Sequence, residues 1–228
     1  MKTARHMRFA AASWGLLKRY LGLGRRAGAV ALDTPGALGE FLDSRASHVA
    51  QTTLYGYLKT RAGTRFPELF EDPAMLASIN IAKWHVWLAC LSDVAVYSGV
   101  LMRLHTGQPV EAVRAALGRV VARTLDECGA GKEVGDDFAA AAGRVRARIA
   151  DCDLDALFDD DSAFTESPRA LLYWAPIADE LKRRDAEIVR NSVRFRWREV
   201  RRDLRRRLRA HQVLAAAKSR AGHPPRAC

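Results

Sequence analysis

The chain has 228 residues, and 49% of them are hydrophobic. A chain of this length and composition can bury a sizeable core, which excludes an intrinsically disordered protein. It carries 37 Lys and Arg residues against 26 Asp and Glu residues, a formal net charge of +11. Such a balance favours an anionic partner, whether a nucleic acid, a membrane surface or an acidic protein. The four cysteines form no C-x-x-C motif, which predicts reduced thiols in a cytoplasmic protein.

Residues 1–32 are predicted to be a basic amphipathic N-terminal segment with a glycine-rich linker. The first 26 residues contain seven Lys or Arg and no acid, and residues 7–21 have the apolar spacing of an amphipathic helix. Basic pairs at 18–19 and 25–26 precede any small-residue cleavage site, which disfavours a signal peptide. A helix of this kind suits an anionic membrane surface, so a peripheral membrane location is an option. The expected membrane-surface residues are Arg5, Arg8, Trp14, Lys18, Arg19 and Tyr20.

Four helices are predicted between residues 33 and 150. The first opens at Thr34-Pro35, which has the pattern of an N-cap followed by a proline at the first helical position, and it ends at Gly63. Apolar periodicity predicts the other three over about 74–104, 110–128 and 134–150.

The most apolar run of the chain, Ile79–Met102, is interrupted by Lys83, His85 and Asp93. No transmembrane span is therefore predicted. Strand-like alternation is also missing from the sequence. The expected fold is all-α, a bundle of four to five helices with a long basic C-terminal helix and an N-terminal amphipathic helix.

The C-terminal third combines an acidic loop with a basic helix. Residues 151–166 contain seven acids and no base, and they are predicted to form a loop. One helix, kinked at Pro176, is predicted over 167–217 within a bundle domain that spans 33–217, and the tail 218–228 is predicted to be disordered. Between Lys182 and Arg209 that helix carries thirteen Lys or Arg against four acids.

Apolar residues between 189 and 211 follow a 4-4-3 spacing, which predicts one packed stripe with arginines on the other faces. Guanidinium groups pair bidentately with phosphate oxygens, so these arginines are candidates for anion binding. Two alternatives remain open: the acids of the chain match the charge internally, or the arginines only keep the protein soluble. The candidate anion-binding residues are Arg190, Arg194, Arg198, Arg201, Arg202, Arg205, Arg206 and Arg209.

A second group of polar residues lies at helical spacing in the first half of the chain. If the protein is an enzyme, the catalytic candidates are His48, His85, Ser92 and Asp93, because a serine, a histidine and an aspartate form a nucleophilic site when their helix faces meet. The chain has no G-x-S-x-G motif, which favours hydrogen-bonded polar residues in the bundle interior instead. No metal-ligand spacing is present, so neither a metal nor a cofactor is predicted.

Three blocks, SRASHVAQTTLYGYLKTRAG, SINIAKWHVWLACLSDVAVY and NSVRFR, resemble an uncharacterised family of small alphaproteobacterial proteins. Some members of that family carry an automatic esterase label. The resemblance covers roughly residues 33–105 and 185–200, and it implies hydrolysis of esters. It implies no particular catalytic residues.

The sequence thus favours a cytoplasmic, non-enzymatic binding or accessory protein that engages an anionic surface through its basic terminal helices. A membrane leaflet is preferred over nucleic acid, because the N-terminal amphipathic helix adds to membrane binding only. The alternatives are a small ester hydrolase with a His/Asp site and a protein–protein adaptor that docks through the stripe at 189–211.

Overall fold

The computed structural model describes residues 30–128 and 135–221. This part of the chain is all-α and forms a helical bundle, as predicted. The candidate membrane-surface residues Arg5, Arg8, Trp14, Lys18, Arg19 and Tyr20 lie outside the described residues. The helices are α1 Pro35–Ala62, α2 Pro73–Thr106, α3 Val110–Glu127, α4 Gly135–Asp151, α5 Glu166–Trp174, α6 Asp179–Arg207 and α7 Ala210–Ala221.

Local sequence signals set the ends of the two longest helices in the first half. The Thr34 hydroxyl accepts a hydrogen bond from the amide of Ala37 (3.2 Å), and Gly63 ends α1 with a φ of 57°. The Asp72 carboxylate accepts from the first amides of α2, which ends at Gly107 in the left-handed conformation. Glycine adopts positive φ without the steric cost that other residues meet.

Helix α2 is the centre of the bundle and packs against α1, α3, α4, α5 and α7. Every residue from Cys90 to Met102 is buried, which is expected of a helix that is apolar on all sides and surrounded by other helices. By length and composition α2 could cross a membrane, but 94% of its most apolar 18-residue window is buried inside the protein. The core helix of a soluble protein has the same property.

The prediction of one helix over 167–217 is wrong, because that region forms three helices. Pro176 ends α5 rather than kinking it, since the residue before a proline is forced into an extended conformation and Ala175 has ψ 130°. The second break lies at Leu208, whose ψ is 126°. The tail prediction also begins too early, because α7 continues to Ala221.

The break at Leu208 is stabilised by the segment that precedes α1. Leu32 donates a hydrogen bond to the carbonyl of Arg207 and accepts one from the amide of Arg209, both at 2.9 Å. Both leucines are buried, with 2% and 4% of their surface exposed. This parallel bridge satisfies backbone groups that a helix end would otherwise leave unpaired, and α7 then packs against α1, α2 and α3.

Candidate functional site

The apolar stripe of α6 fixes which way its arginines point. Its members at positions 189, 193, 197, 200 and 204 are all at most 5% exposed and belong to the common core. Trp197 is fully buried, and its indole N–H donates to the Ser167 hydroxyl (3.0 Å). The stripe is therefore covered by the protein itself, and the arginines lie on the remaining faces of the helix. Docking of a partner protein through this stripe stays a prediction.

One flank of α6 faces the acidic loop. The Asp159 carboxylate lies 3.4 Å from the Arg205 guanidinium, and the backbone carbonyl oxygen of Asp159 accepts a hydrogen bond from Arg201 (3.4 Å). The Asp161 carboxylate lies 3.8 Å from the Arg194 guanidinium. Tyr97, on α2, donates a hydrogen bond to the Asp159 carboxylate and so anchors the loop to the core. The predicted internal charge pairing is therefore present on this flank.

The other acids of the loop have different partners. Asp155 forms an ion pair with Arg103 on α2 (2.8 Å), and Glu166 pairs with Arg169 (3.1 Å). Asp153 accepts from the backbone amide of Asp155 within its own turn. The loop consequently matches only part of the charge of α6.

On the outer side of α6 the arginines border a groove of about 710 Å³, which we call the arginine groove. Of the described residues, six arginines and a single glutamate line it, and this excess of positive charge attracts anions. Four of the six were predicted from the sequence, and Arg45 and Arg196 were not. The groove is lined by Arg45, His48, Phe195, Arg196, Arg198, Glu199, Val200, Arg201, Arg202 and Arg205.

The arginines of the groove differ in their partners. Arg45, on α1, reaches across to Asp203 of α6 (3.1 Å), and Arg202 forms an exposed pair with Glu199 (3.3 Å). Among the described residues, no carboxylate lies within ion-pair distance of Arg196 or Arg198. Exposed pairs such as the one at Glu199 contribute roughly 0–1 kcal/mol, so Arg202 is not firmly held by its partner.

Phe195 adds an apolar element to the groove. Its ring is 63% exposed, and the Arg198 guanidinium carbon lies 5.7 Å from the ring centroid, a distance suited to a cation–π contact. Ile188, two helical turns earlier and 72% exposed, lies on the same side of α6 by helical spacing. The outer side of this helix is therefore both cationic and apolar.

The remaining predicted anion-binding residues do not line the groove. Arg194 faces the acidic loop, Arg206 pairs with Asp203 (3.1 Å) and Arg209 donates to the carbonyl of Arg206 (3.1 Å). Arg190 is exposed, with no carboxylate of the described residues at ion-pair distance. Helical spacing predicted their exposure, but it did not distinguish a groove from an open surface.

His48, a predicted catalytic candidate, lies in the arginine groove. Burial lowers the pKa of its imidazole, and the nearby Arg45 and Arg196 lower it further, while Glu199 acts in the opposite direction. A histidine in these surroundings is neutral at neutral pH. Its place in the structure therefore separates it from the other catalytic candidates.

Asp93 is the most buried carboxylate of the described residues, with no exposed surface. It accepts hydrogen bonds from Arg148 (2.7 Å), from the amide of Glu166 (3.1 Å), and from the amide and hydroxyl of Ser167 (2.8 and 2.6 Å). Burial raises the pKa of this carboxyl, and the Arg148 guanidinium and Ser167 counteract that rise. Asp93 thus caps α5 and links it to α2 and α4.

Ser92 and His85 are not joined to each other. The Ser92 hydroxyl accepts from Arg148 (2.9 Å), whereas the His85 ring stacks on Trp174, with centroids 3.6 Å apart and 3° between the planes. Seven residues along a helix separate Ser92 from His85 by about 10 Å. Among the described residues, no hydrogen bond links His85 to Ser92 or to Asp93, so the three side chains do not form a catalytic triad. The hydrolase interpretation, and the family resemblance that implies it, remain predictions.

No group of three or more His, Cys, Asp or Glu side chains within 30–128 and 135–221 is placed to hold a metal ion. Comparison of the chain with models of known protein families, with curated proteins and with solved structures gave no match. The geometry of the arginine groove is therefore the basis for a functional proposal.

Proposed function

We propose that this protein is a non-enzymatic binding protein that docks its arginine groove on an anionic membrane surface. The observation that supports the proposal is the charge of the groove, which six arginines and one glutamate of the described residues line around an exposed phenylalanine. Arg45 and Arg205 pair with Asp203 and Asp159, and Arg202 has only an exposed partner. Arg196 and Arg198 have no carboxylate of the described residues at ion-pair distance, so this side of α6 stays positive. Each Lys or Arg close to an anionic leaflet contributes about 1 kcal/mol to binding.

The apolar residues among the arginines favour a lipid surface over nucleic acid. Phe195 and Ile188 are both large and mostly exposed, and such side chains enter the boundary between lipid headgroups and acyl chains. Single-stranded nucleic acid needs several aromatic side chains on which successive bases stack, whereas Phe195 is the one Phe, Tyr or Trp among the described residues that line the groove. The arrangement supports a protein that lies on the membrane rather than crossing it.

A cytoplasmic location fits this proposal, because the cytoplasmic leaflet is the anionic one. The basic N-terminal segment would supply a second contact with the same leaflet. Surface binding generally requires two weak signals, each of which is reversible alone. The groove and the N-terminal segment are such a pair.

Flotation with lipid vesicles tests the proposal. The full chain is expected to float with vesicles of phosphatidylcholine and phosphatidylserine at low salt, and to stay behind with pure phosphatidylcholine. Raising the salt should weaken the binding, since the Debye length falls from about 30 Å at 0.01 M to about 10 Å at 0.1 M. Equal behaviour with both vesicles would contradict the proposal, as would tighter binding to a single-stranded oligonucleotide than to the anionic vesicles at the same salt.

A further inference from the structure

A second recess lies on another side of the bundle, between α4 and α5, with α2 beneath it. Its volume is about 490 Å³, which falls within the range of about 300–1,000 Å³ typical of small-molecule sites. We call it the α4–α5 cleft. Side chains from three helices line it, and none of them lines the arginine groove.

The inner walls of the cleft are apolar. Leu88 and Val145 are nearly fully buried, and the alanines at 89, 141 and 170 leave open space where larger residues would fill it. The stacked rings of His85 and Trp174 form a further part of the lining. These walls suit the hydrocarbon or aromatic body of a ligand.

The charges around the cleft favour an anion. Arg144, Arg148 and Arg169 line it together with one acid, Glu166. Arg148 is occupied by the buried Asp93, and Arg169 forms an exposed pair with Glu166. Among the described residues, no carboxylate is within ion-pair distance of Arg144, so the cleft has one cation that lacks a counter-charge.

His85 supplies a polar atom beside the apolar walls. Its Nε2 is buried and has no hydrogen-bond partner among the described residues, which is uncommon for a buried polar atom. Burial lowers the pKa of the imidazole, with Arg144 lowering it and Asp137 raising it to a smaller extent. The ring is therefore neutral at neutral pH and can form a hydrogen bond without adding charge.

We infer that the α4–α5 cleft binds an amphipathic monocarboxylate, such as a medium-chain fatty acid. The carboxylate pairs with Arg144, and the acyl chain lies along the apolar walls. A single free guanidinium matches a single negative charge, and the apolar walls require a body that free phosphate lacks. This inference is independent of membrane docking, since it rests on different residues.

Isothermal titration calorimetry with decanoate tests the inference on the full chain. Decanoate is expected to bind, with decanol at least about 10-fold weaker, because the lost ion pair corresponds to roughly one decade of affinity. Inorganic phosphate should show no binding at the same concentrations. Lack of decanoate binding up to about 1 mM would overturn the inference, and equal binding of decanol would overturn its ionic part.

Variants locate the binding. Arg144→Gln should weaken decanoate binding about 10-fold, and Ala170→Trp should abolish it by filling the cleft. Arg146→Gln is the matched control, because Arg146 lies on the same helix, pairs with Asp126 and does not line the cleft. If Ala170→Trp does not fold, Ala89→Leu replaces it. Unchanged binding in Arg144→Gln and in the folded cleft-filling variant would place decanoate elsewhere and refute the site, whatever the vesicle experiments give.

Discussion

Arg148 and the arginines of the groove carry the same chemical group in opposite surroundings. Arg148 pairs with Asp93, whose carboxylate is fully buried, and also hydrogen-bonds Ser92 and the carbonyl of Ala163. Arg198 lies at the surface, beside Phe195 rather than beside a carboxylate. A guanidinium that pairs with a buried carboxylate holds helices together, whereas one without a counter-charge is available to an external anion. The ion pairs that Arg194 and Arg205 form with the acidic loop are intermediate, because both pairs are partly exposed.

The largest expected effect on the free energy of unfolding comes from breaking the buried pair of Asp93 and Arg148. Asp93→Ala leaves the Arg148 charge and the Ser167 amide without their partner, so it should lower the free energy of unfolding by about 3–5 kcal/mol. Urea unfolding followed by circular dichroism measures the change. Asp151→Ala, at the exposed end of α4, is the matched control and should change stability by less than about 0.5 kcal/mol. A similar small change in Asp93→Ala would show that the network is not structural.

Tyr97→Phe tests the point at which the acidic loop is attached to α2. Loss of the hydrogen bond to Asp159 should cost about 1 kcal/mol of stability in the same unfolding experiment. Burial, together with that hydrogen bond, raises the pKa of Tyr97 to about 12. Ultraviolet titration of tyrosinate should therefore show a tyrosine that ionises near pH 12, and the variant should lack it. Tyr173→Phe, at a side chain that is 73% exposed, should leave both quantities unchanged.

Removing arginine charges from the groove should hardly affect the free energy of unfolding. Arg198→Gln combined with Arg202→Gln deletes two exposed charges and one exposed pair, so unfolding should change by no more than about 0.5 kcal/mol. A slight gain is expected, because repulsion among neighbouring arginines falls. Arg148→Gln, measured alongside, should destabilise as a broken buried pair does. A large loss in the groove variant would mean that these arginines serve the fold.

The smallest expected effect is the titration of His48. Its pKa is lowered from the ordinary value of 6.5, so the folded protein takes up this proton less readily than the unfolded chain. The histidine therefore costs stability as pH falls below about 6.5, and His48→Gln should flatten that part of the stability profile. By nuclear magnetic resonance, anionic lipid micelles should raise the pKa of His48, which lies in the groove. No shift of His48 with bound micelles would contradict docking through the groove.

Much of the fold could be predicted from the sequence, because its signals are local. Thr34, Pro35 and Gly63 mark the ends of α1, and apolar spacing places the next three helices close to their observed bounds. The break at Leu208 has no such signal. It depends on hydrogen bonds to Leu32, more than 170 residues earlier in the chain, and no glycine or proline marks it.

The candidate site could be predicted in part, because the spacing of residues along one helix is also a local signal. Helical spacing identified Arg198 and Arg202 as outward-facing, and both line the groove. Arg45 comes from α1, and its distance from α6 depends on how the two helices pack. Arg148 and Ser167 surround Asp93 only after α4 and α5 close over α2. Spacing along one helix cannot reveal such partners, which is why Asp93 was interpreted as a catalytic candidate.

The most direct test of membrane docking compares two matched triple variants in the vesicle flotation assay. One variant changes the groove residues Arg196, Arg198 and Arg202 to Gln. The other changes Arg194, Arg206 and Arg209 to Gln, which lie on the same stretch of chain but do not line the groove. Each removes three charges, so net charge is the same in both. We expect the groove variant to lose most of its binding to anionic vesicles, while the control variant keeps more of it. Equal losses would show that only the total charge matters and would contradict docking through the arginine groove.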